Sequence, residues 1–452
     1  MGMFKFIHAA DLHLGTPLEN SSNVPRHLMD TIQNATYLAF ERICHLAMNL
    51  DVDFILLAGD VFDHEARSIK AEDFFVKQME KLEEKNIHVF MIAGNHDPRG
   101  ENINDRLESI DNLHVFGSEE AEEKEFNLKD DLIIRIIGQS YRGRAESRKM
   151  INYFTPSGDD SFNIGMVHTQ LDPNNRNYVP CSLQDLKNKK GIDYWALGHI
   201  HEKDILNEEN PAVVYPGTPQ GRHVGETGIK GCHLVTVDEN KELEISFLPA
   251  SPVVWLEQDL FVDDDTYDHH PENISELGNI MISEGEKVLE SNKISLHEDY
   301  ESKKGMEKEL VKGYIIRWIL KGRSAIQDRI QGQEDEARDV LYNNIEQLSN
   351  QKPFLWTESI QFRINRPIPP LDELKSQSEA FKYIDQVVTE FLNDPNMRRK
   401  MLTEFGDIWE WQEDHEDYNE KKLQLDEREY KMLVDHAKEL AVEMLLERRE
   451  EA

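Results

Sequence analysis

Cysteine is scarce. Cys44, Cys181 and Cys232 are the three in 452 residues, odd in number and far apart. That excludes a disulfide-stapled scaffold and a cysteine-based zinc site, and it suits a reducing cytoplasm. Long apolar runs are missing as well. No stretch approaches the ~18 residues that a membrane span needs. Asp11 and His13 interrupt the N-terminal apolar segment, so no signal peptide is expected there and a cytoplasmic location is. No internal repeat or long low-complexity tract stands out. Positive charge is in deficit: 51 Lys and Arg face 87 Asp and Glu, a net charge of −36. The excess is spread along the chain, −16 in residues 1–250 and −20 in residues 251–452. Such a field repels nucleic acid, because phosphate binding draws on Lys and Arg. A DNA-acting protein of this composition needs bound divalent cations to change the local sign, or a basic partner. High intracellular salt would equally favour an acidic surface.

The length suggests two to four domains. Residues 1–250 alternate short apolar strands with polar, 3.6-periodic stretches. Strands are expected at 4–10, 53–58, 88–93, 132–138, 162–167, 194–197, 213–215 and 232–237, and a helix over 71–85. This predicts an α/β fold with helices on both sheet faces and ligands beyond the strand ends. The pattern changes near Pro252-Val253. Residues 251–366, with strands at 313–321 and 359–364, are expected to form a small α+β domain. Arg366-Pro367-Ile368-Pro369-Pro370 reads as a stiff linker, and 367–452 as an all-helical C-terminal region. There Phe381, Ile384, Val388, Phe391 and Leu392 form one apolar stripe. Leu433, Val434, Ala437, Leu440, Ala441, Met444 and Leu445 form another. The default expectation is that these stripes pack on each other or on the body; the sharper one is a terminal helix docked on a partner coiled coil.

Five short motifs fall at predicted strand ends: Asp11-Leu12-His13, Gly59-Asp60, Gly94-Asn95-His96-Asp97, Val167-His168-Thr169 and Gly198-His199-Ile200-His201. Asp-x-His and His-x-His put two side chains on one side of an extended segment. A glycine before the polar residue allows a tight turn out of the strand. Seven metal ligands are expected: Asp11, His13, Asp60, Asn95, His168, His199 and His201. His96 is an eighth polar residue of the set. Mixed imidazole and carboxylate donors suit Mn, Fe or Zn rather than calcium. Seven exceed one ion's needs. Two ions bridged by Asp60 use them all, one with Asp11, His13 and His201, the other with Asn95, His168 and His199. A metal pair of this kind serves in-line phosphoryl displacement. Gly59-Asp60 alone is a weak signal, His-x-His a moderate one and Gly-Asn-His-Asp after a strand a stronger one; a lone histidine is most often structural or on the surface, and His64, His88, His223, His269 and His270 are read that way.

In this order the motifs resemble the calcineurin-like metallophosphoesterases. His8-Ala9-Ala10-Asp11-Leu12-His13-Leu14-Gly15, Leu57-Ala58-Gly59-Asp60-Val61-Phe62-Asp63 and Tyr215-Pro216-Gly217 are similar to the SbcD-type DNA repair exonucleases. Gln220-Gly221-Arg222-His223 with Glu226-Thr227-Gly228 is similar to their YhaO-like branch. The resemblance covers residues 1–240. It implies a four-layer metallophosphoesterase β-sandwich flanked by helices, a capping domain over 251–366, and C-terminal helices that grip an SMC-like ATPase. It further implies a homodimer and a DNA exo/endonuclease with two divalent ions, expected to be Mn2+. No Walker A sequence is present, so ATP dependence would come from that partner. His96 is the expected catalytic acid, protonating the departing oxygen, with Asp97 orienting it. Some relatives carry a histidine three residues after the bridging aspartate. Asp63 stands there in this chain, which puts that histidine's role in guiding the substrate end in question.

Two other functions compete: a phosphoesterase acting on a nucleotide, phosphoprotein or other small substrate, and a non-catalytic scaffold. The acidic surface favours the first, and the ~200 residues after the core disfavour it. Buried carboxylates and imidazoles retained without metal would be costly, which argues against the scaffold. Arg142/Arg144/Arg148/Lys149, Lys187/Lys189/Lys190 and Arg398/Arg399/Lys400 are candidate phosphate contacts, set against the plainer reading of solvated surface.

Overall fold

The computed structural model describes residues 4–19, 24–63, 68–99, 107, 109–128, 132–158, 161–264, 266–267, 270–291, 310–369, 371–404, 409–411, 423–425 and 427–450. His64 and His269 lie outside them. The described chain divides into two compact units. One is Met1–Leu260 with Ile274–Leu320 and Asp335–Phe362; the other is Phe261–Asn273 with Lys321–Glu334 and Arg363–Ala452.

The first unit holds two six-stranded sheets. Its strands are β1 (Phe4–Ala9), β2 (Phe54–Ala58), β3 (His88–Ile92), β4 (Leu113–Val115), β5 (Glu122–Asn127), β6 (Ile133–Gly138), β7 (Phe162–His168), β8 (Tyr194–Gly198), β9 (Asp204–Asn207), β10 (Ala212–Tyr215), β11 (Gly231–Val237) and β12 (Leu243–Pro249). The first sheet runs β12-β11-β1-β2-β3-β4 and the second β5-β6-β7-β8-β10-β9. Strands β1, β2 and β3 are mutually parallel, as are β7, β8 and β10.

Alternation explains the layering. Strand β2, Phe-Ile-Leu-Leu-Ala, has no polar side chain and is buried throughout. Phe54, Leu56 and Ala58 join Phe6, Phe90, Ile134, Ile164 and Tyr194 in the core between the sheets. Ile55 and Leu57 face the other way, into a cluster with Phe40, Ile43, Phe75 and Met79 of the helices Ala35–Asn49 and Ile69–Glu83. A period of two with both faces buried requires an apolar strand covered on either side. Across the molecule, Ile137, Val167, Trp195 and Leu197 form the outer core of the second sheet with Met150, Phe154 and Leu186. Helices, sheet, sheet and helical turns are thus the four layers expected from the resemblance.

The predicted helix over 71–85 lies at Ile69–Glu83, because Ser68 caps it by accepting from the Ala71 N–H at 3.1 Å. Five strands before β14 escaped the sequence pattern, among them the three-residue β4 and the edge strand β5, whose residues are all partly or fully exposed. Strand β9 is short, and β12 is an edge strand with mostly half-exposed residues. Strand β13 (Val253–Phe261) begins where the pattern changes. It forms a three-stranded sheet, β13-β14-β15, with β14 (Gly313–Arg323) and β15 (Phe354–Asn365). Strand β15 starts five residues before the expected 359, its polar positions half-exposed. Val253, Trp255, Ile315 and Phe354 pack with Leu18, Leu28 and Ile32, all within the first unit.

In the second unit, Leu374, Phe381 and Val442 form a small core with Ile384, Leu445 and Leu446. The two predicted stripes therefore meet each other in part, while Met432, Leu440 and Met444 of the helix Glu427–Glu450 stay exposed. The expectation of helix alone beyond 367 is corrected. β16 (Trp409–Trp411) and β17 (Leu423–Leu425) pair in parallel, a contact between segments that short-range periodicity does not register.

Candidate metal centre

Parallel strands end at one edge, so the residues that follow them meet there. Asp11 follows β1, Asp60 follows β2, Asn95 follows β3, His168 ends β7, and His199 and His201 follow β8. The loops are laced together. Asp11 N donates to Gly59 O and His13 N to Asp60 O, both at 3.0 Å. The His199 N–H donates to the Asp11 carboxylate at 3.0 Å and the His96 N–H to Asp60 Oδ1 at 2.8 Å.

Four of these residues are backbone outliers. Asp11, His13, Asp60 and His199 have φ of +53°, +43°, +51° and +97°. Non-glycine residues adopt this left-handed region at a cost of ~1–3 kcal/mol each, and such strain clusters at functional sites. The glycines were expected to supply the turns. Of the three, only Gly59 has positive φ, and a Cβ on Gly94 would collide with the Asp60 carboxylate. Gly94 is needed for close approach rather than for turning.

Donor atoms of Asp11, His13 and His201 lie within 4.8 Å of one another, as do those of Asp60, His168 and His199. His13 Nε2 stands 3.9 Å from Asp60 Oδ2, which links the two groups. Asn95 Oδ1 sits 3.0 Å from His168 Nε2 and 3.1 Å from His199 Nδ1. All seven expected ligands are thus brought together. The donor set fits borderline divalent cations, and one observation favours such an occupant directly. Among the described residues, neither ring nitrogen of fully buried His13 has a hydrogen-bond partner. Orphaned buried nitrogens are costly, and a cation beside them removes the cost.

The electrostatics are those of a crowded buried cluster. Burial pushes Asp11 up to about 6 and His13 down to about 4. Burial would also raise Asp60, but His168 and then His13 outweigh it and hold that carboxylate low. His168 is correspondingly raised by Asp60 and Asp11 against its own burial. Burial, then the His168 charge, lowers His199 to about 3.

His96 lies at the rim with its side chain 43% exposed, its ring 4.9 Å from that of His13. Its carboxylate partner is Asp63, with Oδ1 3.4 Å from His96 Nδ1. The expectation that Asp97 orients His96 is corrected. Asp97 turns inward and accepts from the backbone N–H groups of Val61 at 2.8 Å, Phe62 at 3.2 Å and Gly94 at 2.7 Å. Burial followed by the Asp60 charge raises it to about 6. Asp97 shapes the two loops that carry Asp60 and Asn95.

Glu226 had no assigned role, although it stood in the motif Glu226-Thr227-Gly228. Its Oε1 lies 2.5 Å from His201 Nδ1 and 3.3 Å from His223 Nε2, and its Oε2 accepts from the Arg222 N–H at 2.7 Å. Burial works to raise Glu226, yet His201 brings it down to about 2. His223, read as a structural or surface histidine, is therefore tied to this cluster. Arg222 Nη1 stands 3.7 Å from Asp63 Oδ2.

Three members of the basic clusters are already engaged by the protein's own groups. Arg142 pairs with Glu119, and Arg148 is held by Glu146 and the carbonyls of Ser118 and Glu119. Lys189 Nζ donates to Asn152 O at 2.8 Å. The side chains of Arg398 and Arg399 lie outside the described residues.

Comparison with known proteins agrees with the fold. The chain is 42% identical over 252 residues to the uncharacterized metallophosphoesterase YhaO of Bacillus subtilis, covering 55% of this chain and 61% of that protein. It is 27% identical over 230 residues to the DNA double-strand break repair protein Mre11 of Archaeoglobus fulgidus, covering 47% and 49%. The matched region thus spans about half to three-fifths of these relatives. No described helix is long and apolar enough to cross a membrane. The calcineurin-like phosphoesterase family matches residues 4–203, the stretch that contains β1 to β8 and every residue expected to hold a metal. Strand order, four-layer packing and this match together assign that segment of the chain to the calcineurin-like phosphoesterase family.

Proposed function

We propose that the protein is a metal-dependent phosphodiesterase that hydrolyses DNA, working as the nuclease subunit of a complex with an SMC-like ATPase. The convergence of Asp11, His13, Asp60, Asn95, His168, His199 and His201 at one sheet edge carries the reading. Asp11, His13, Asp60 and His201 would hold one divalent ion, and Asp60, Asn95, His168 and His199 the other, with Asp60 shared. Mn2+ is the proposed ion. Bound cations supply Lewis acidity there, lowering the pKa of a water and neutralising phosphoryl charge.

The chain's own residues do the rest. Asp63 faces His96 Nδ1 and raises the imidazole's pKa, which favours its protonated form and leaves Nε2 for substrate. His96 Nε2 then delivers its proton to the departing oxygen as the P–O bond breaks, a role that contributes roughly 10²–10⁴-fold. Likeness to a double-strand break repair protein supports DNA as the substrate. The exposed Met432, Leu440 and Met444 on the helix Glu427–Glu450 support a partner at the C-terminal region, and homodimerisation and a cytoplasmic location remain part of the proposal. The net charge of −36 favours a second reading, a phosphoesterase for a small or nucleotide substrate.

Metal-loaded protein assayed on labelled single- and double-stranded DNA beside bis(p-nitrophenyl) phosphate separates the two. DNA cleavage lost in His96→Ala, with both metals retained, supports the nuclease. Dye turnover without DNA cleavage supports the second. Asp60→Ala should empty both sites, and undiminished metal content would refute the shared carboxylate.

A further inference from the structure

The segment Gly217 to Gly228 folds back onto the ligand loops, and most of its polar groups are committed to holding it there. Thr218 Oγ1 donates to Asp11 O at 2.9 Å. Gln220 Nε2 donates to Val253 O at 2.8 Å. Glu226 binds His201, His223 and the Arg222 backbone. The Arg222 head group is the exception. Its side chain is 16% exposed, and the one ion pair it makes among the described residues, to Asp63 Oδ2 at 3.7 Å, is too long to be a hydrogen bond. Among the described residues, its buried Nε has no hydrogen-bond partner. A buried guanidinium N–H left unmade is costly, and the loop's anchoring does not require it.

The surroundings indicate what those donors await. Asp63 bridges Arg222 to His96 and His13, so the guanidinium stands on the His96 side of the centre. In a chain with a net charge of −36, this is a cation set among the groups proposed to act on a phosphate ester. A planar guanidinium fork matches two phosphoryl oxygens, and such charge-assisted pairs are about twice as strong as neutral ones.

The geometry points to Arg222 as a specificity-determining residue that grips the non-bridging oxygens of the substrate's phosphate group beside His96. The inference rests on the phosphoesterase reading above and adds the group that recognises the anion. It separates two duties at the rim: Asp63 orients the proton donor, and Arg222 holds the phosphate. A mere staple between the segment and Asp63 would instead act on stability and metal retention.

The test uses the full-length, metal-loaded protein and its R222Q and R222K variants. Inorganic phosphate is the probe, by calorimetric titration and as an inhibitor, alongside kcat and KM for bis(p-nitrophenyl) phosphate, metal content and melting temperature. R222Q should weaken phosphate affinity by about tenfold or more, the scale of a charge-assisted hydrogen bond, and raise KM while both metals and the melting temperature hold. R222K keeps the charge without the fork and should fall between. Unchanged phosphate affinity in R222Q overturns the inference, and so does a loss matched by lost metal or lowered melting temperature. If R222Q fails to fold, R222K decides, and wild-type affinity in R222K overturns it. Wild-type protein that binds phosphate through Arg222 yet hydrolyses no ester would sink the hydrolase reading and leave this one standing.

Discussion

His96 Nδ1 lies 3.4 Å from Asp63 Oδ1, an aspartate three residues after Asp60, and this pair sets the protonation of the rim. Two imidazoles, His13 and then His96, hold Asp63 well below the usual carboxylate range. In return Asp63 raises His96. Asp63→Asn removes the anion, so the His96 pKa falls and its protonated form is lost at lower pH. The alkaline limb of the rate profile should move toward acid, with metal content unchanged. A limb that stays in place would show that His96 does not act as the proton donor.

Glu226 reaches across the chain to His201 Nδ1, which leaves Nε2 directed toward Asp11 Oδ1 at 3.9 Å. A carboxylate on the far nitrogen fixes the tautomer and ring direction of a ligating imidazole. Glu226→Gln should weaken binding at the site that contains His201 by roughly 10–100-fold. Titration with Mn2+ of metal-stripped protein reads this as one weakened and one retained class of site.

Gly94→Ala should damage the centre without a change of charge. Its Cβ would occupy the space of the Asp60 carboxylate, which already receives the His96 N–H. Overpacking costs about 1–3 kcal/mol, and here it falls on the carboxylate shared by both sites. Metal content should drop in both classes together, unlike the Glu226 variant.

His8 gives the stability a pH dependence. It is fully buried, with Nδ1 3.0 Å from Tyr194 Oη and Nε2 3.1 Å from Leu197 O. Burial, then the His233 charge, lowers its pKa to about 3. The folded state therefore refuses a proton that the unfolded chain accepts below its ordinary value of about 6.5. Stability is intact above that pH and is lost as pH falls toward 3, by up to about 1.4 kcal/mol per pH unit from this group. His8→Gln should flatten the slope between pH 6 and pH 4 in denaturant titrations of metal-free protein; an unchanged slope would count against the buried neutral imidazole.

The residues that converge were legible because each sits at or just after the end of an apolar strand, and parallel strands deliver their ends to one edge. The same locality misled for Asp97. It neighbours His96 in sequence, yet the turn after Asn95 sends it inward to the N–H groups of Val61, Phe62 and Gly94. Strands β12 and β13 were hidden for a different reason, since half-exposed strands mix polar and apolar residues without a clean period.

By itself the sequence determined the alternating strands and helices, the apolar double sheet and the residue types at the strand ends, all properties of short windows of chain. Tertiary structure alone decided that Glu226 turns His201, that Asp63 rather than Asp97 faces His96, and that Arg222 keeps an unused donor beside them. Those pairings join positions up to about 160 residues apart, brought together by strand order and the fold-back of one loop, and no local pattern of residues encodes such a contact.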